Sequence, residues 1–268
     1  MFTPNASPLK TAWFLPIALL GSSLSVQTPD APKPVSLTEE PHHRLAFKNS
    51  YVRVFRFSLP GHDATLLHQH ALPYVSVALG PVDYINAVAG KPEVHAVLTD
   101  GQVGYSRGGF AHIVRTEAGS PFNNFTIELL HPQGEPRNLC QKITDGPLND
   151  CPSVSADTPL PATPLKSLAQ AMEQKRLFET GEILVTSFST ALKEDYSEAG
   201  SQPARLLAVE LDSDVQVDVP GQPSKNLHGG EVLWLEAGKK WRIVTPGEHK
   251  VTRFLLIQFK GSNSTTKP

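Results

Sequence analysis

Two histidines stand one residue apart in the stretch Gly61-His62-Asp63-Ala64-Thr65-Leu66-Leu67-His68-Gln69-His70. In a strand, alternate side chains point to the same face, so His68 and His70 would present two imidazoles together. A third histidine at the right place on a facing strand would complete a metal site. Three neutral imidazoles at about 2.0–2.2 Å suit Zn, Fe, Ni, Cu or Mn. Three protein ligands leave coordination positions for water or substrate, as catalytic sites require. Free histidine titrates near ~6.5, so metal affinity is expected to fall in mild acid. Two residues are candidates to act beside the metal. The Tyr74 hydroxyl could bond a bound water or substrate, or its ring could simply fill the interior. Glu128, in Phe125-Thr126-Ile127-Glu128-Leu129-Leu130, could supply a carboxylate. Arg107, His62 and Asp63 lie near these residues and could bind an acidic substrate, with a surface position the default. His95 and His131 are read as structural.

The elements that must position these side chains are short strands. Tyr51–Phe57 is rich in β-formers and is broken by Leu59-Pro60-Gly61. Further strands are expected at Tyr74–Leu79, Val82–Val88, Glu93–Leu98, Gly101–Ser106, Ala111–Thr116 and Phe125–Leu130. After a turn-rich stretch the same grammar returns at Ile183–Phe188, Arg205–Leu211, Val215–Val219, Glu231–Leu235, Trp241–Thr245 and Val251–Phe259. Strands this short, evenly broken by Gly and Pro, predict an all-β sandwich or barrel. Thr163-Pro164 is a good helix start, and Leu165, Leu168, Ala169 and Met172 follow at helical spacing. A short packing helix is therefore expected there.

The ends and the middle carry other signals. Lys10, the apolar run Ala12–Leu20 and the small residues Gly21–Ser25 read as a secretory signal peptide over residues 1–25. The run is too short to span a bilayer, which needs about 20 residues. Residues 26–41 are Pro-rich and polar and read as a linker, with His42 and His43 solvated at its end. Cys140 and Cys151 are expected to pair as a disulfide in an oxidising compartment, stabilising by about 3 kcal/mol. They lie in a turn-rich segment, 136–164, read as a linker between two domains at 42–135 and 165–261. The tail 262–268 is polar and expected to be disordered. The protein is thus expected in the secreted or periplasmic space. A formal net charge of −2 with no basic block excludes nucleic acid as a partner. The expected partners are a small-molecule ligand or substrate and, as a homodimer, a second copy of the chain. No membrane association is expected once the signal is cleaved.

The two halves can be laid on each other. Gly101, Gly109, His112 and Thr116 share one frame with Gly230, Gly238, Trp241 and Thr245. The frame is read as continuing without a gap to Phe125 and Phe254, which pairs Glu128 with Ile257. Equal spacing through two hairpins argues for two copies of one unit, with glycines at turns a Cβ would disfavour. The second copy has no His-x-His, and Trp241 is expected to fill the space that the first copy leaves for metal.

On these residues the sequence resembles the cupin superfamily, and specifically a two-domain bicupin. Gly61, His68-x-His70, Gly101, Gly109 and His112 match the two cupin motifs. Tyr74 stands where the first motif has Glu, Arg107 where the second has Pro, and Thr116 where it has Asn. The resemblance implies two jelly-roll β-barrels in tandem, joined by a linker and a short helix. It implies a divalent metal held by His68, His70 and His112, without the family's acidic fourth ligand. It also leans towards dioxygenase-like oxidoreductase chemistry on a small organic molecule, cupin oxygenases with three histidines being a known class. The alternative is a non-catalytic module that binds a metal or ligand.

Overall fold

The computed structural model describes residues 33–145, 148, 172–198, 202–247 and 251–262. The signal segment 1–25, the body of the expected helix, Cys151 and the tail after Ser262 lie outside the described residues, so the Cys140–Cys151 pair does too. The first barrel is built from β1 (Val35–Ser36), β2 (His43–Lys48), β3 (Val52–Leu59), β4 (His68–His70), β5 (Tyr74–Ala78), β6 (Val82–Val88), β7 (Val94–Leu98), β8 (Val103–Ser106), β9 (Phe110–Arg115) and β10 (Phe122–Leu129). The second is built from β11 (Arg137–Asn138), β12 (Glu173–Glu179), β13 (Ile183–Thr190), β14 (Asp195–Tyr196), β15 (Arg205–Val209), β16 (Asp214–Asp218), β17 (Lys225–His228), β18 (Val232–Leu235), β19 (Arg242–Val244) and β20 (Thr252–Phe259). Among the described residues the only helical element is a short 3-10 turn at Lys260–Ser262, and none is long and apolar enough to cross a membrane.

Each barrel is two sheets. In the first barrel they run β1-β4-β9-β6-β7 and β2-β3-β10-β5-β8. In the second they run β14-β19-β16-β17 and β11-β12-β13-β20-β15-β18. Apart from β1 and β11, every strand of one barrel has its counterpart ten strands on, in the same sheet position. The duplication extends to side-chain detail. Gly101, Gly109, Gly230 and Gly238 all have positive φ, at 71°, 79°, 80° and 71°, where a Cβ is disfavoured. Thr116 Oγ1 donates to the Pro60 carbonyl at 2.7 Å, and Thr245 Oγ1 donates to the Leu192 carbonyl at 2.7 Å. Both threonines are buried, each one residue past the end of its strand, β9 or β19.

The barrels meet face to face. On β10, Phe125, Ile127 and Leu129 point outward and join one core with Leu206, Ala208, Leu255 and Ile257 of the second barrel. Asn124 and Thr126, alternating with them, point into the first barrel. On β20 the alternation is the same, with Phe254 and Leu256 inside and Leu255 and Ile257 in the shared core. Burying each such side chain stabilises by roughly 1.5–3 kcal/mol, so this seam is a structural core in its own right.

The expected register of the repeat needs one correction. Thr116 matches Thr245, but Asn124, not Phe125, matches Phe254, because Asn124 faces Phe57 across β3 as Phe254 faces Phe188 across β13. The stretch from Thr245 to Phe254 is one residue longer than its counterpart. The counterpart of Glu128 is therefore Gln258 rather than Ile257. Two segments read as linkers also hold strands. Val35 pairs in parallel with His68, and Arg137 pairs with Glu179 on the edge of the second barrel. Neither pairs over more than two residues, too short for sequence periodicity to register.

Candidate metal centre

β4 alternates as the sequence demands: His68 is 0% exposed, His70 is 3% exposed, and Gln69 between them is exposed. The antiparallel register places His112 of β9 directly opposite His68. Ring centroids are 4.5 Å apart for His68 and His112, 4.9 Å for His70 and His112, and 5.2 Å for His68 and His70. The three sequence-predicted histidines are thus brought together.

A fourth histidine, expected to be solvated, is not. His43 is 7% exposed at the start of β2, on the opposite sheet, with its ring 5.0 Å from that of His68. Its neighbour Phe57 supports it at 4.6 Å. One nitrogen each from His43, His68 and His70 lies within 4.8 Å of the others, the spacing a single ion needs. The missed signal is Glu40-Pro41-His42-His43, in which a carboxylate three residues back can cap a buried ring.

Hydrogen bonds fix the tautomers. His68 Nδ1 donates to the Leu66 carbonyl at 2.9 Å, His112 Nδ1 to Asn86 Oδ1 at 2.7 Å, and His43 Nδ1 to Glu40 Oε2 at 2.8 Å. In each ring Nε2 is left to act as a lone-pair donor. Nε2 of His68, Nε2 of His112 and Nδ1 of His70 are buried with no hydrogen-bond partner. Leaving such an atom unpaired costs about 1–3 kcal/mol. Imidazoles with buried, unpartnered nitrogens, grouped about one interior, are a donor set that fits a divalent cation.

Burial, opposed by the Leu66 bond, pushes His68 down to about 4. Burial and the neighbouring His112 and His68 rings push His70 down to about 2, and burial pushes His112 down to about 3. All three are neutral at pH 7, the form that binds metal. The mild-acid loss of affinity expected from free histidine is displaced to lower pH by the fold. Burial pushes the Glu40 carboxyl up, but bonds from His43 and His42 outweigh it and hold the group at about 2.

The other sequence candidates divide clearly. The Tyr74 ring stacks on His70 at 4.4 Å. Burial pushes its phenol up to about 12, against a bond to Ser106, so it stays a protonated neighbour. Glu128 is inward-facing and 2% exposed, but its Oε2 lies 2.7 Å from the Arg53 guanidinium. That pairing, directly across β3 and β10, takes it out of the ligand set. Arg107 pairs with Glu135 on the surface at 2.6 Å, and His62 and Asp63 are exposed. His95 pairs with Asp83 on the surface. His131 stacks on Tyr51 at 5.3 Å.

The rings border a cavity of about 80 Å³. Ser76, Tyr84, Asn86, Asn124 and Thr126 give it polar walls, and Phe57, Leu98, Val114 and Phe122 apolar ones. The turn into β9 sets one edge. Gly109 N donates to the His70 carbonyl at 2.6 Å. Gly108 has φ 70°, and a Cβ there would lie 2.3 Å from the Leu72 carbonyl oxygen. Gly108→Ala is therefore expected to destabilise the fold by about 2 kcal/mol or more and to weaken metal binding by displacing His70. Chemical denaturation and a metal titration on the same variant check both effects.

No protein-family model matches the sequence, and no curated protein does. Among solved structures, a cupin 2 conserved barrel domain protein from Leptotrichia buccalis aligns at TM-score 0.49 and 11% identity, covering 81% of this chain and 88% of that one. A variant of salicylate 1,2-dioxygenase from Pseudoaminobacter salicylatoxidans, in complex with gentisate, aligns at TM-score 0.51 and 8% identity, covering 78% of this chain and 69% of that one. Another variant of that enzyme aligns at TM-score 0.50 and 9% identity, covering 78% and 70%. The fold is that of a bicupin. At these identities the likeness is one of fold and leaves the chemistry to the residues.

In the second barrel, packing side chains occupy the place that the histidines hold in the first. Trp241 is 5% exposed in a core with Phe188, Leu207, Phe254 and Leu256. Extending the pairing of β14 with β19 by two residues places Glu198 opposite Trp241, as His68 is opposite His112. Glu198 pairs with Arg205, whose guanidinium lies 5.8 Å over the Trp241 ring. Arg205 stands on β15 where Tyr74 stands on β5. An ion pair and an indole fill the place that imidazoles hold in the first barrel.

Proposed function

We propose that this protein is an exported, metal-dependent enzyme acting on a small organic molecule in its first barrel, with His68, His70 and His112 holding a divalent metal. The observation that supports the reading is that three imidazoles with buried, unpaired nitrogens line one polar-walled cavity. A bound divalent ion would supply Lewis-acid or redox chemistry at its open positions, and the oxygenase leaning of the cupin motifs falls within that range. An all-imidazole set suits Zn, Cu, Fe or Ni better than Mn. The chain's own residues would do the rest. Asn86 holds His112 in its ligating tautomer, Tyr74 offers a protonated phenol beside His70, and Ser76, Asn124 and Thr126 offer hydrogen bonds to a polar substrate. Export rests on the apolar N-terminal run and the cysteine pair.

Cavity size favours a second reading. Ligand pockets usually measure about 300–1,000 Å³, so about 80 Å³ admits a chelating head group and no large ring system without side-chain movement. That suits a non-catalytic module that captures a metal or small ligand. Reconstitution with each metal, followed by mass spectrometry of a panel of small hydroxy- and keto-acids, separates the two. Metal-dependent turnover that His112→Ala abolishes is the expected result. One equivalent of metal without turnover on any of the panel would favour the binding module.

A further inference from the structure

We infer that His43 is a fourth ligand of the metal centre and that Glu40 is the carboxylate that positions it, so that this cupin replaces its missing acidic ligand with a Glu–His pair from another strand. The inference rests on the metal-centre reading above. In the cupin motif the fourth ligand would come from the position of Tyr74, which stacks on His70 and offers no carboxylate. His43 reaches the centre from the opposite sheet, across the barrel, and its ligating nitrogen shares the 4.8 Å cluster with those of His68 and His70.

The support around His43 is built for a ligand. Glu40 is 1% exposed and its two oxygens are fully engaged. One accepts from His43 Nδ1 at 2.8 Å and from the His42 backbone N–H at 2.9 Å; the other accepts from His42 Nδ1 at 2.8 Å. The His43 N–H also bonds the Glu40 carbonyl at 3.1 Å, closing a turn that fixes the ring's direction. Carboxylate–histidine–metal arrangements orient the ring and raise its basicity. Here the negative charge that a direct glutamate would place on the metal is delivered through an imidazole. The centre gains a fourth nitrogen and keeps an anionic partner one bond network away.

The test uses the full metal-free chain titrated with Co²⁺ against a chelator, with X-ray absorption to count imidazoles on the bound ion. Wild type should take up one Co²⁺ with four imidazoles. His43→Ala should retain three and bind more than ~100-fold more weakly. Glu40→Gln, which keeps the side-chain volume, should retain four and lose roughly 10–100-fold in affinity. Near-ultraviolet circular dichroism establishes that each variant is folded, and if His43→Ala is not, Glu40→Gln alone decides. Wild type that loads Co²⁺ with three imidazoles, or variants that load as wild type does, would overturn the fourth-ligand assignment alone. Wild type that takes up no metal would overturn the metal centre and this assignment with it.

Discussion

Replacing His70 by alanine is expected to abolish stoichiometric metal uptake while leaving the metal-free fold close to wild type in stability. The ring is buried between Tyr74, Phe110 and its partner histidines, with centroids at 4.4 Å and 5.5 Å from the two aromatic neighbours. Truncation leaves a cavity, which destabilises. It also removes a buried Nδ1 that has no partner, which offsets part of that loss. The metal-loaded state has no such compensation. Structural zinc sites bind with about 10–16 kcal/mol over four ligands, so one imidazole carries about 3 kcal/mol, a factor of ~100 or more. Metal analysis of protein purified without a His-tag, wild type beside His70→Ala, checks the affinity. Thermal melts with and without metal check the separation, since wild type should gain stability from metal and the variant should not. Equal metal content in the two proteins would remove His70 from the ligand set.

The second large effect is acid lability of the metal-free protein. His68, His70 and His112 have folded pKa values of about 4, 2 and 3, below the ordinary value of 6.5. Between those limits the unfolded chain binds more protons than the folded one, so stability falls as pH falls through 6.5. Each group contributes at most about 1.4 kcal/mol per pH unit, and three together up to about 4 kcal/mol per unit. A domain of ordinary stability holds about 5–15 kcal/mol in all. Metal-free protein should therefore lose up to about 6 kcal/mol between pH 6.5 and 5, the whole reserve of a domain at the low end of that range. His43, also lowered by burial, acts with the same sign. The carboxyl of Glu40, held at about 2, keeps its stabilising contribution above 4.5 and loses it only in stronger acid, below this window. His228, exposed and raised by Asp214, favours the folded state in acid, but solvent screens it. Excess metal should move the acid midpoint down, because the bound ion competes with protons for the same lone pairs. Circular dichroism against pH, with and without metal, reads this directly. Metal-free protein whose stability does not fall between pH 6.5 and 5 would show that the interior histidines are not held neutral in solution.

The three-histidine frame was legible because every step obeys a local rule. His68 and His70 share a face by strand alternation, and the motif glycines mark the turns that bring β9 alongside. The duplication was legible for the same reason, since Gly101, Gly109, Gly230 and Gly238 occupy conformations that only glycine adopts easily. His43 was hidden because its strand does not alternate cleanly. The β2–β3 pairing slips between Leu45 and Phe47, and Leu45 is 51% exposed, so the segment carries no strand signal, and His43 stands just past the polar linker 26–41. Glu128 faces inward, but no sequence pattern announced that Arg53, paired across the strand, would engage it. The matching of Glu128 to Ile257 failed because a one-residue difference between copies lies in a loop, where spacing arguments are blind.

That loop difference shows where the architecture tolerates length change. β10 is at once the wall of the metal cavity and half of the seam between barrels, with successive residues serving opposite sides. A one-residue insertion or deletion within it would swap the two roles. Phe125 and Ile127 would fill the cavity, and Asn124, Thr126 and Glu128 would be driven into the dry seam. The same change in the loop before it leaves both faces in phase, and the two copies differ there. Lineages of this fold should accordingly vary in loop length ahead of β10 and stay invariant in spacing along it, because the strand permits substitution on either side but no frame shift between them.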